Sequence, residues 1–212
     1  MTALAPPATI AFLGLGMMGR PMARRLVEAG FKLRVFDVSQ KAVSDFVGAH
    51  PSALATASAK AAAEGADALI TMLPDGKIVR QAVLEGRDAA VEGLQAGALV
   101  LDMSSSNPVD TQKLVRDLAG RGVALLDAPV SGGVRRAVDG SLSIMVGGAA
   151  ADLERVRPIF GAMGKTITLC GPAGAGHALK ALNNYLSAAG LVAMCEALVV
   201  GEAFGLDPGV MV

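Results

Sequence analysis

A glycine-rich turn near the start of the chain constrains the fold more than any other feature. Gly14, Gly16 and Gly19 directly follow the strand-like run Thr9–Leu13 and open a stretch of helical period. In this setting the first glycine permits a tight turn, the second lets the backbone approach a ligand, and the third allows close packing of helix on strand. Free N–H groups at the helix start face an anion. The pattern predicts a strand-turn-helix unit that binds a pyrophosphate.

An acidic residue stands where a dinucleotide site needs one. Asp37 lies 18 residues after the last of these glycines, at the end of the strand-like run Leu33–Phe36. A carboxylate there accepts hydrogen bonds from the adenosine ribose and repels a 2′-phosphate, which favours NAD. Arg34 and Lys41 lie near enough in sequence to leave NADP open. The alternative is a plain turn in which Asp37 only caps the helix that begins near Gln40.

Apolar runs of strand length alternate with stretches of helical period over about the first 170 residues, which predicts an α/β fold with a doubly wound, mostly parallel sheet of Rossmann type. The predicted strands are Thr9–Leu13, Leu33–Phe36, Ala68–Met72, Leu99–Asp102, Ala124–Asp127 and Thr166–Leu169, with a short one in Ser141–Val146. The predicted helices are Met17–Ala29, Gln40–Val47, Ile78–Leu84, Val109–Gly120 and Ala151–Ala162, and the alanine-rich Ala53–Ala66 also favours a helix.

The pattern changes after Gly171 and Pro172. One helical stretch runs from about Gly176 to Phe204 without proline, as a helix joining two domains does. We therefore predict a dinucleotide-binding domain over 1–172. We expect 173–212 to hold a long interdomain helix and the beginning of an incomplete all-α domain.

The amino-acid composition limits the kinds of partner that we expect this chain to bind. Nineteen basic and nineteen acidic residues give no net charge, so nothing directs the chain to nucleic acid. Glu196 and Glu202 interrupt the apolar part of the long helix, and the N-terminus lacks a basic signal, so we expect a cytoplasmic protein without a membrane segment. Two separated cysteines and two histidines outside any cluster predict no disulfide and no metal site.

Three segments carry a family resemblance across essentially the whole chain: LGLGMMGRPMARRL at Leu13–Leu26, DAPVSGGVRRAVDGSLSIMVGG at Asp127–Gly148 and GAGHALKALNN at Gly174–Asn184. They resemble the β-hydroxyacid dehydrogenases, which include 3-hydroxyisobutyrate dehydrogenase and tartronate semialdehyde reductase and share the 6-phosphogluconate dehydrogenase-like architecture. The resemblance implies an NAD-dependent oxidoreductase of a small hydroxy acid that works as a dimer.

The second segment contains the predicted substrate site. Ser131, Gly132 and Gly133 offer a hydroxyl and backbone N–H groups that could form a small anion-binding concavity, or they serve only the geometry of a turn. The resemblance implies that they hold the substrate carboxylate. Arg135 and Arg136 follow, and they either reach a second anionic or hydroxylated group or are solvated.

The third segment contains the predicted catalytic residues. His177, Lys180, Asn184 and Ser187 recur at spacings of three and four and draw one polar stripe, which on its own is typical of a solvated helix face. The resemblance implies that Lys180 is the general acid/base and that Asn184 helps to position the substrate. A lysine base must be neutral, and apolar neighbours favour the neutral form.

Loops at two further strand ends complete the predicted cofactor site. Leu73, Pro74 and Ser105 lie at carboxyl ends of predicted strands, where ligands of parallel sheets bind. Pro74 could instead only end its strand, and Ser106 could only cap a helix. The cofactor-binding residues implied by the resemblance are Gly14, Leu15, Gly16, Met17, Met18, Gly19, Asp37, Leu73, Pro74 and Ser105.

The expected reaction moves a hydride between NAD and a three- or four-carbon β-hydroxy acid, similar to 3-hydroxyisobutyrate or to glycerate and tartronate semialdehyde. Family members continue into a helical domain that is mostly missing here, so we expect either a fragment or a homo-oligomer formed through the long helix. Two other hypotheses stay open: a non-catalytic dinucleotide-binding or interaction module, and an imine reductase, against which Lys180 argues.

Overall fold

The computed structural model describes residues 2–212. Its strands are β1 (Thr9–Leu13), β2 (Lys32–Phe36), β3 (Leu54–Ala55), β4 (Ala68–Thr71), β5 (Leu99–Asp102), β6 (Ala124–Asp127), β7 (Val130–Ser131), β8 (Leu142–Gly147) and β9 (Gly164–Gly171). Its α-helices are α1 (Gly19–Glu28), α2 (Gln40–Ala49), α3 (Ala59–Ala63), α4 (Gly76–Arg80), α5 (Pro108–Ala119), α6 (Gly133–Asp139), α7 (Ala150–Met163), α8 (Ala175–Ala203) and α9 (Pro208–Met211).

One nine-stranded sheet runs through the structure in the order β3-β2-β1-β4-β5-β6-β8-β7, and β9 pairs with β8. The first six strands are parallel, β8 runs antiparallel to β6, and β9 runs parallel to β8. The strand order reverses between β1 and β4, which creates a crevice at the carboxyl ends of these strands. The predicted doubly wound, mostly parallel sheet is confirmed.

Both faces of the central strands are buried, as parallel strands require. In β1, Ile10 and Phe12 face a layer that includes α1, α2 and α7, and Ala11 and Leu13 face the layer that includes α3 and α5. Each of these four side chains is essentially inaccessible to solvent. The strand therefore reads as one apolar run, and its carboxyl end delivers the glycine turn to the crevice.

Short elements depart from the sequence-based expectations. The alanine-rich segment forms the edge strand β3 and a shorter helix, α3, whose N-cap is Ser58. The helix predicted over Ile78–Leu84 begins earlier, at Gly76, because Asp75 caps it, and a π-helical turn continues it over Gln81–Glu85. Strand β7 and helix α6 were not predicted, since each is too short to show a period.

The long helix α8 lies within one residue of its predicted limits at both ends. Its buried residues are Gly176, His177 and Gly201, and most of its apolar side chains are exposed, including Tyr185 and Leu186 at 70% and 69%. An 18-residue window has a mean hydropathy of 1.6, so by length and composition alone the helix would be long enough to cross a membrane.

Candidate active site

The glycine turn has the geometry that its spacing predicts. Gly14 has a φ of +100°, and a Cβ on it would overlap the carbonyl group of Met72 on the neighbouring strand. A Cβ on Gly19 would overlap the carbonyl group of Gly14, so α1 packs directly on the turn. At Gly16, by contrast, no atom of the described residues other than its two chain neighbours lies within 4 Å of such a Cβ. The middle glycine therefore leaves its backbone open to a ligand.

Asp37 joins this turn to the end of β2. Its Oδ2 atom accepts a hydrogen bond of 2.6 Å from the backbone N–H of Leu15, and its Oδ1 atom accepts one of 2.8 Å from Ser39. Helix α2 is capped by Ser39, whose hydroxyl accepts from Ala42, so the alternative in which Asp37 is the cap of that helix is wrong. The half-buried carboxylate lies at the crevice instead.

A cavity of about 520 Å³ opens between these elements. Its lining contains eight residues of the predicted cofactor site: Gly14, Gly16, Met17, Met18, Gly19, Asp37, Leu73 and Pro74. The sequence did not point to its other lining residues, which are the apolar Leu13, Phe36, Val38, Met72, Ile78 and Ala82. For most of these residues, the only signal in the sequence was an apolar side chain at or just after a predicted strand end. The size and the apolar lining suit a nucleotide cofactor.

Two predicted cofactor residues lie outside this lining. Leu15 is 2% exposed, and its contribution is the backbone N–H that binds Asp37. Ser105 is exposed and stands between two serines whose hydroxyls bond within the protein. Ser104 accepts from the backbone N–H of Leu73 at 3.0 Å, and Ser106 donates to Asp102 at 2.7 Å. Of the three serines, Ser105 is therefore the one directed to solvent, and its cofactor contact stays a prediction.

Arg34 and Lys41, the two cations that could have favoured NADP, bind other groups of the protein. The guanidinium of Arg34 donates to the backbone carbonyls of Ala62 and Ala61 at 3.0 and 2.6 Å, at the end of α3. Lys41 donates to Asp45 at 2.8 Å on the surface of α2. Both side chains are thus held by partners other than a 2′-phosphate beside Asp37, so this geometry favours NAD.

The predicted substrate segment forms a sharp corner. Ser131 ends β7, and both glycines that follow have a positive φ, +130° at Gly132 and +65° at Gly133. A Cβ on Gly132 would lie 2.7 Å from the Cβ and 3.0 Å from the Cγ of Arg136. The exposed Arg136 side chain therefore folds back over the segment, whereas a side chain at position 132 would displace it.

Lys180 lies two turns into α8 and is half-buried. Burial disfavours the ammonium form and lowers the pKa of Lys180 from its usual value. Asn184 is one turn further along and exposed. Lys180, Asn184 and the Ser131–Gly133 corner do not line the 520 Å³ cavity, and their roles stay predictions.

His177 does not belong to the exposed stripe predicted for α8. Its side chain is fully buried, because α8 begins against the carboxyl ends of β5 and β6 and only later leaves the domain. The prediction of one solvated stripe that includes His177 is therefore wrong. The rest of the stripe is half-buried or exposed, and Ser187 donates a hydrogen bond to the backbone carbonyl of Asn183.

A buried aspartate caps the start of α8. The N-cap residue is Gly174, which has no side chain, and Asp127 from the end of β6 takes over the role. Its Oδ1 accepts from the backbone N–H of Gly174 at 2.7 Å, and its Oδ2 accepts from that of His177 at 2.8 Å. A Cβ on Gly176 would lie 2.9 Å from the same carboxylate. The carboxylate thus binds N–H groups that no intrahelical carbonyl can reach.

The contacts of Asp127 and Asp102 with the start of α8, and the burial of His177 between them, were not predicted from the sequence. Asp102 and Asp127 end adjacent parallel strands, in register with each other, and this position at the carboxyl edge is the signal that could have found them. Within residues 2–212, no group of three or more His, Cys, Asp or Glu side chains is arranged to hold a metal.

The glycine turn, the carboxylate at the end of the second strand and the apolar cavity fit a dinucleotide, and together with the sheet order they define an NAD-binding oxidoreductase of Rossmann type. Comparison with known families supports this class. Residues 9–171 match the model of the NAD binding domain of 6-phosphogluconate dehydrogenase. Residues 174–212, which include α8, match the model described as NAD-binding of NADP-dependent 3-hydroxyisobutyrate dehydrogenase.

The chain belongs to the β-hydroxyacid dehydrogenase family, as its sequence motifs predict. It is 45% identical over 202 residues to the NAD-dependent L-serine dehydrogenase of Pseudomonas aeruginosa, covering 95% of this chain and 67% of the relative. It is 43% identical to the 3-sulfolactaldehyde reductase of Escherichia coli, covering 94% and 66%. The chain thus spans about two thirds of the length of these relatives.

A solved structure shows the same likeness in three dimensions. The Mycobacterium tuberculosis 3-hydroxyisobutyrate dehydrogenase with L-serine has a TM-score of 0.87 and 40% identity, covering 94% of this chain and 67% of that one. Members of this family are NAD(P)-dependent oxidoreductases. NAD is therefore the indicated cofactor, with NADP as the alternative that one of the two family descriptions names.

Proposed function

We propose that the chain oxidises a small β-hydroxy acid with NAD and that Lys180 is the general acid/base. The observation that carries the proposal is the partial burial of Lys180, which lowers its pKa, on the helix that begins against the cofactor-binding sheet edge. A solvated surface lysine would keep its ordinary pKa. General bases work best when their pKa lies near the working pH, so the shift is in the useful direction.

The proposed mechanism assigns one task to each group. Bound in the 520 Å³ cavity, NAD supplies the acceptor for the hydride. The neutral Lys180 amine takes the proton of the substrate hydroxyl at its Nζ atom, and Asn184 helps to orient the substrate. Ser131, Gly132 and Gly133 hold the carboxylate through the hydroxyl and backbone N–H groups of the corner. In the reverse direction the Lys180 ammonium returns the proton to the carbonyl oxygen.

Two observations support the proposed substrate class: the substrates in the names of the relatives and the Ser131–Gly133 corner. Their names specify L-serine, 3-sulfolactaldehyde and 3-hydroxyisobutyrate, which are compounds of three or four skeletal carbons. We propose an acid of the same size with its hydroxyl on the β-carbon. We further propose that the protein is cytoplasmic and that it self-associates through α8, because this helix exposes apolar side chains such as Leu182, Tyr185 and Leu186.

The experiment that tests the activity measures NADH absorbance with the purified chain, NAD and a panel of 3-hydroxyisobutyrate, L-serine, glycerate and threonate. The proposal expects NADH with at least one of these acids and none without acid. The second candidate function, a non-catalytic binding module, is favoured by the exposure of Asn184 and of most of α8. It expects NAD binding without turnover. Reduction of a cyclic imine without any hydroxy-acid oxidation would instead support the imine reductase hypothesis.

A further inference from the structure

The buried His177 imidazole joins the start of α8 to helix α5 and to the loop after β5. Its Nδ1 atom lies 2.9 Å from the Thr111 hydroxyl on α5, and its Nε2 atom lies 3.1 Å from the backbone carbonyl oxygen of Ser104 after β5. Two buried carboxylates face the ring, Asp102 at 3.8 Å from Nε2 and Asp127 at 3.8 Å from Nδ1. The proposed mechanism uses none of these four partners.

Hydrogen-bond chemistry fixes one proton on this ring. A carbonyl oxygen only accepts, so His177 Nε2 carries a hydrogen and donates it to Ser104. The hydroxyl of Thr111 also lies 3.0 Å from the carbonyl oxygen of Asn107. It therefore donates either to Nδ1 or to that carbonyl. The contact from Nε2 to Ser104 persists in both arrangements.

This contact leads directly to the predicted cofactor site. The hydroxyl of Ser104 accepts from the backbone N–H of Leu73, which lines the 520 Å³ cavity, and the next residue is the exposed Ser105. In the other direction along the chain, Lys180 follows His177 by three residues, which is about one helical turn. The ring is thus the buried link between the loop that would contact NAD and the turn that carries Lys180.

We propose that His177 is a positioning residue that holds Lys180 in register with the cofactor loop, and that a side chain able to donate to Ser104 is required for this. The inference rests on the proposed role of Lys180. A rigid connection matters because displacement of a catalytic group by about 1 Å can cost about 10²-fold in rate. His177 acts through Lys180 and the loop and does not itself touch the substrate in this account.

The experiment compares His177→Gln, whose side-chain amide can donate to the carbonyl of Ser104, with His177→Leu, which cannot. Matched controls are His50→Gln and His50→Leu, since His50 is the other histidine and packs against Phe46 at the C-terminal end of α2. Thr111→Val removes the hydroxyl beside Nδ1 with little change of shape. It serves as a second variant in case His177→Leu does not fold.

Three quantities are measured: kcat and KM for the hydroxy acid, the Kd for NAD, and the rate of Lys180 acetylation by acetic anhydride relative to the exposed Lys32. We expect His177→Leu to lower kcat about 10²-fold, with a much smaller change in KM and with NAD binding weakened a few-fold. We expect His177→Gln to recover at least a tenth of the wild-type kcat. Thr111→Val should fall between wild type and His177→Leu, and both His50 variants should match wild type.

Clear results would overturn the inference. It fails if His177→Leu and Thr111→Val keep kcat within twofold of wild type, or if folded His177→Gln is as slow as His177→Leu, which would mean a merely structural role. If His177→Leu does not fold, the inference fails if folded His177→Gln keeps less than a tenth of the wild-type kcat or if Thr111→Val keeps kcat within twofold of wild type. If wild type oxidises no hydroxy acid, the proposed function fails. The relative acetylation rate then tests positioning alone, and an unchanged rate in folded variants contradicts it.

Discussion

The carboxylate of Asp37 accepts a hydrogen bond of 2.6 Å from the backbone N–H of Leu15, and this bond closes the glycine turn onto the end of the second strand. The same carboxylate lines the 520 Å³ cavity. Asp37 therefore has two tasks. It holds the turn in place, and it presents negative charge where the adenosine ribose of a dinucleotide would lie.

Asp37→Ala is expected to weaken NAD binding about tenfold or more, because hydrogen bonds to a charged group contribute about 1.5–3 kcal/mol. It should also reduce the preference for NAD over NADP, since the charge that repels a 2′-phosphate is removed. Calorimetric titration with both dinucleotides measures this. Glu154→Ala on the surface of α7 is the matched control and should change neither affinity. Unchanged NAD affinity in Asp37→Ala would argue against the assignment.

Substitution by alanine should affect the stability of the fold differently at two glycines of the turn. Gly16→Ala is expected to leave the free energy of unfolding within about 0.5 kcal/mol of wild type, since its Cβ would meet no described residue within 4 Å apart from its two chain neighbours. It is also expected to weaken NAD binding. Gly19→Ala should destabilise the fold by about 1–3 kcal/mol, because its Cβ overlaps the carbonyl group of Gly14. Denaturant unfolding and NAD titration distinguish them. Equal effects of both changes on stability would contradict the geometry.

The elements that the sequence predicts well are those with a long, regular period. Strand β1 and helix α8 were predicted to within one residue because an apolar run and an uninterrupted helical stretch each leave a strong signal. Strand β7 and helix α6 were missed because they are two and seven residues long. Their positions depend on pairing with β8 and on glycines at positive φ, which are tertiary constraints.

The residues of the candidate site also differ in how far the sequence could predict them. The glycine turn and Asp37 could be recognised because their function depends on local spacing along the chain. The role of His177 could not, because its burial results from the docking of α8 on strand ends that lie about 50 or more residues earlier. Spacing along one helix placed it on a polar stripe, whereas contacts from three other elements determine its surroundings.

Lys180 should give the reaction a pH dependence of predictable sign. Burial lowers its pKa below the usual 10.5. The neutral amine is the base for hydroxy-acid oxidation, so the kcat of oxidation should rise with pH. It should reach its plateau at a lower pH than it would if the base were an exposed lysine with an ordinary pKa. The ammonium is the acid for carbonyl reduction, so that kcat should fall as pH rises through the same pKa. Initial rates in both directions test this, and profiles that are flat between about pH 6 and 10 would exclude Lys180 as the titrating group.

Arg136 is expected to favour substrates that carry a second anionic group, because its side chain folds over Gly132 in the proposed carboxylate corner. Arg136→Ala should lower kcat/KM about tenfold for an acid with an additional sulfonate or carboxylate, and much less for 3-hydroxyisobutyrate. Arg135→Ala, at the neighbouring exposed position, is the control. If Arg136→Ala changes kcat/KM for neither acid, Arg136 has no role in selectivity and is a solvated surface charge.

The exposed face of α8 should mediate self-association. Leu186 is 69% exposed in the described chain, and Leu186→Glu places a charge in the middle of this apolar face. We expect wild type to sediment as a dimer and the variant to shift toward monomer. Val109→Glu on α5, at a side chain that is 57% exposed, is the control and should leave the dimer intact. A wild-type protein that sediments as a monomer at all concentrations would contradict self-association.

The most direct test of the central claim compares wild type with Lys180→Ala in one preparation, measuring NADH formation from the best hydroxy acid together with the Kd for NAD. We predict that wild type forms NADH and that the variant binds NAD with the same affinity but is about 10²- to 10⁴-fold slower. NADH formation by the variant at nearly the wild-type rate would contradict the role of Lys180, and NAD binding by wild type without any turnover would contradict the proposed activity itself.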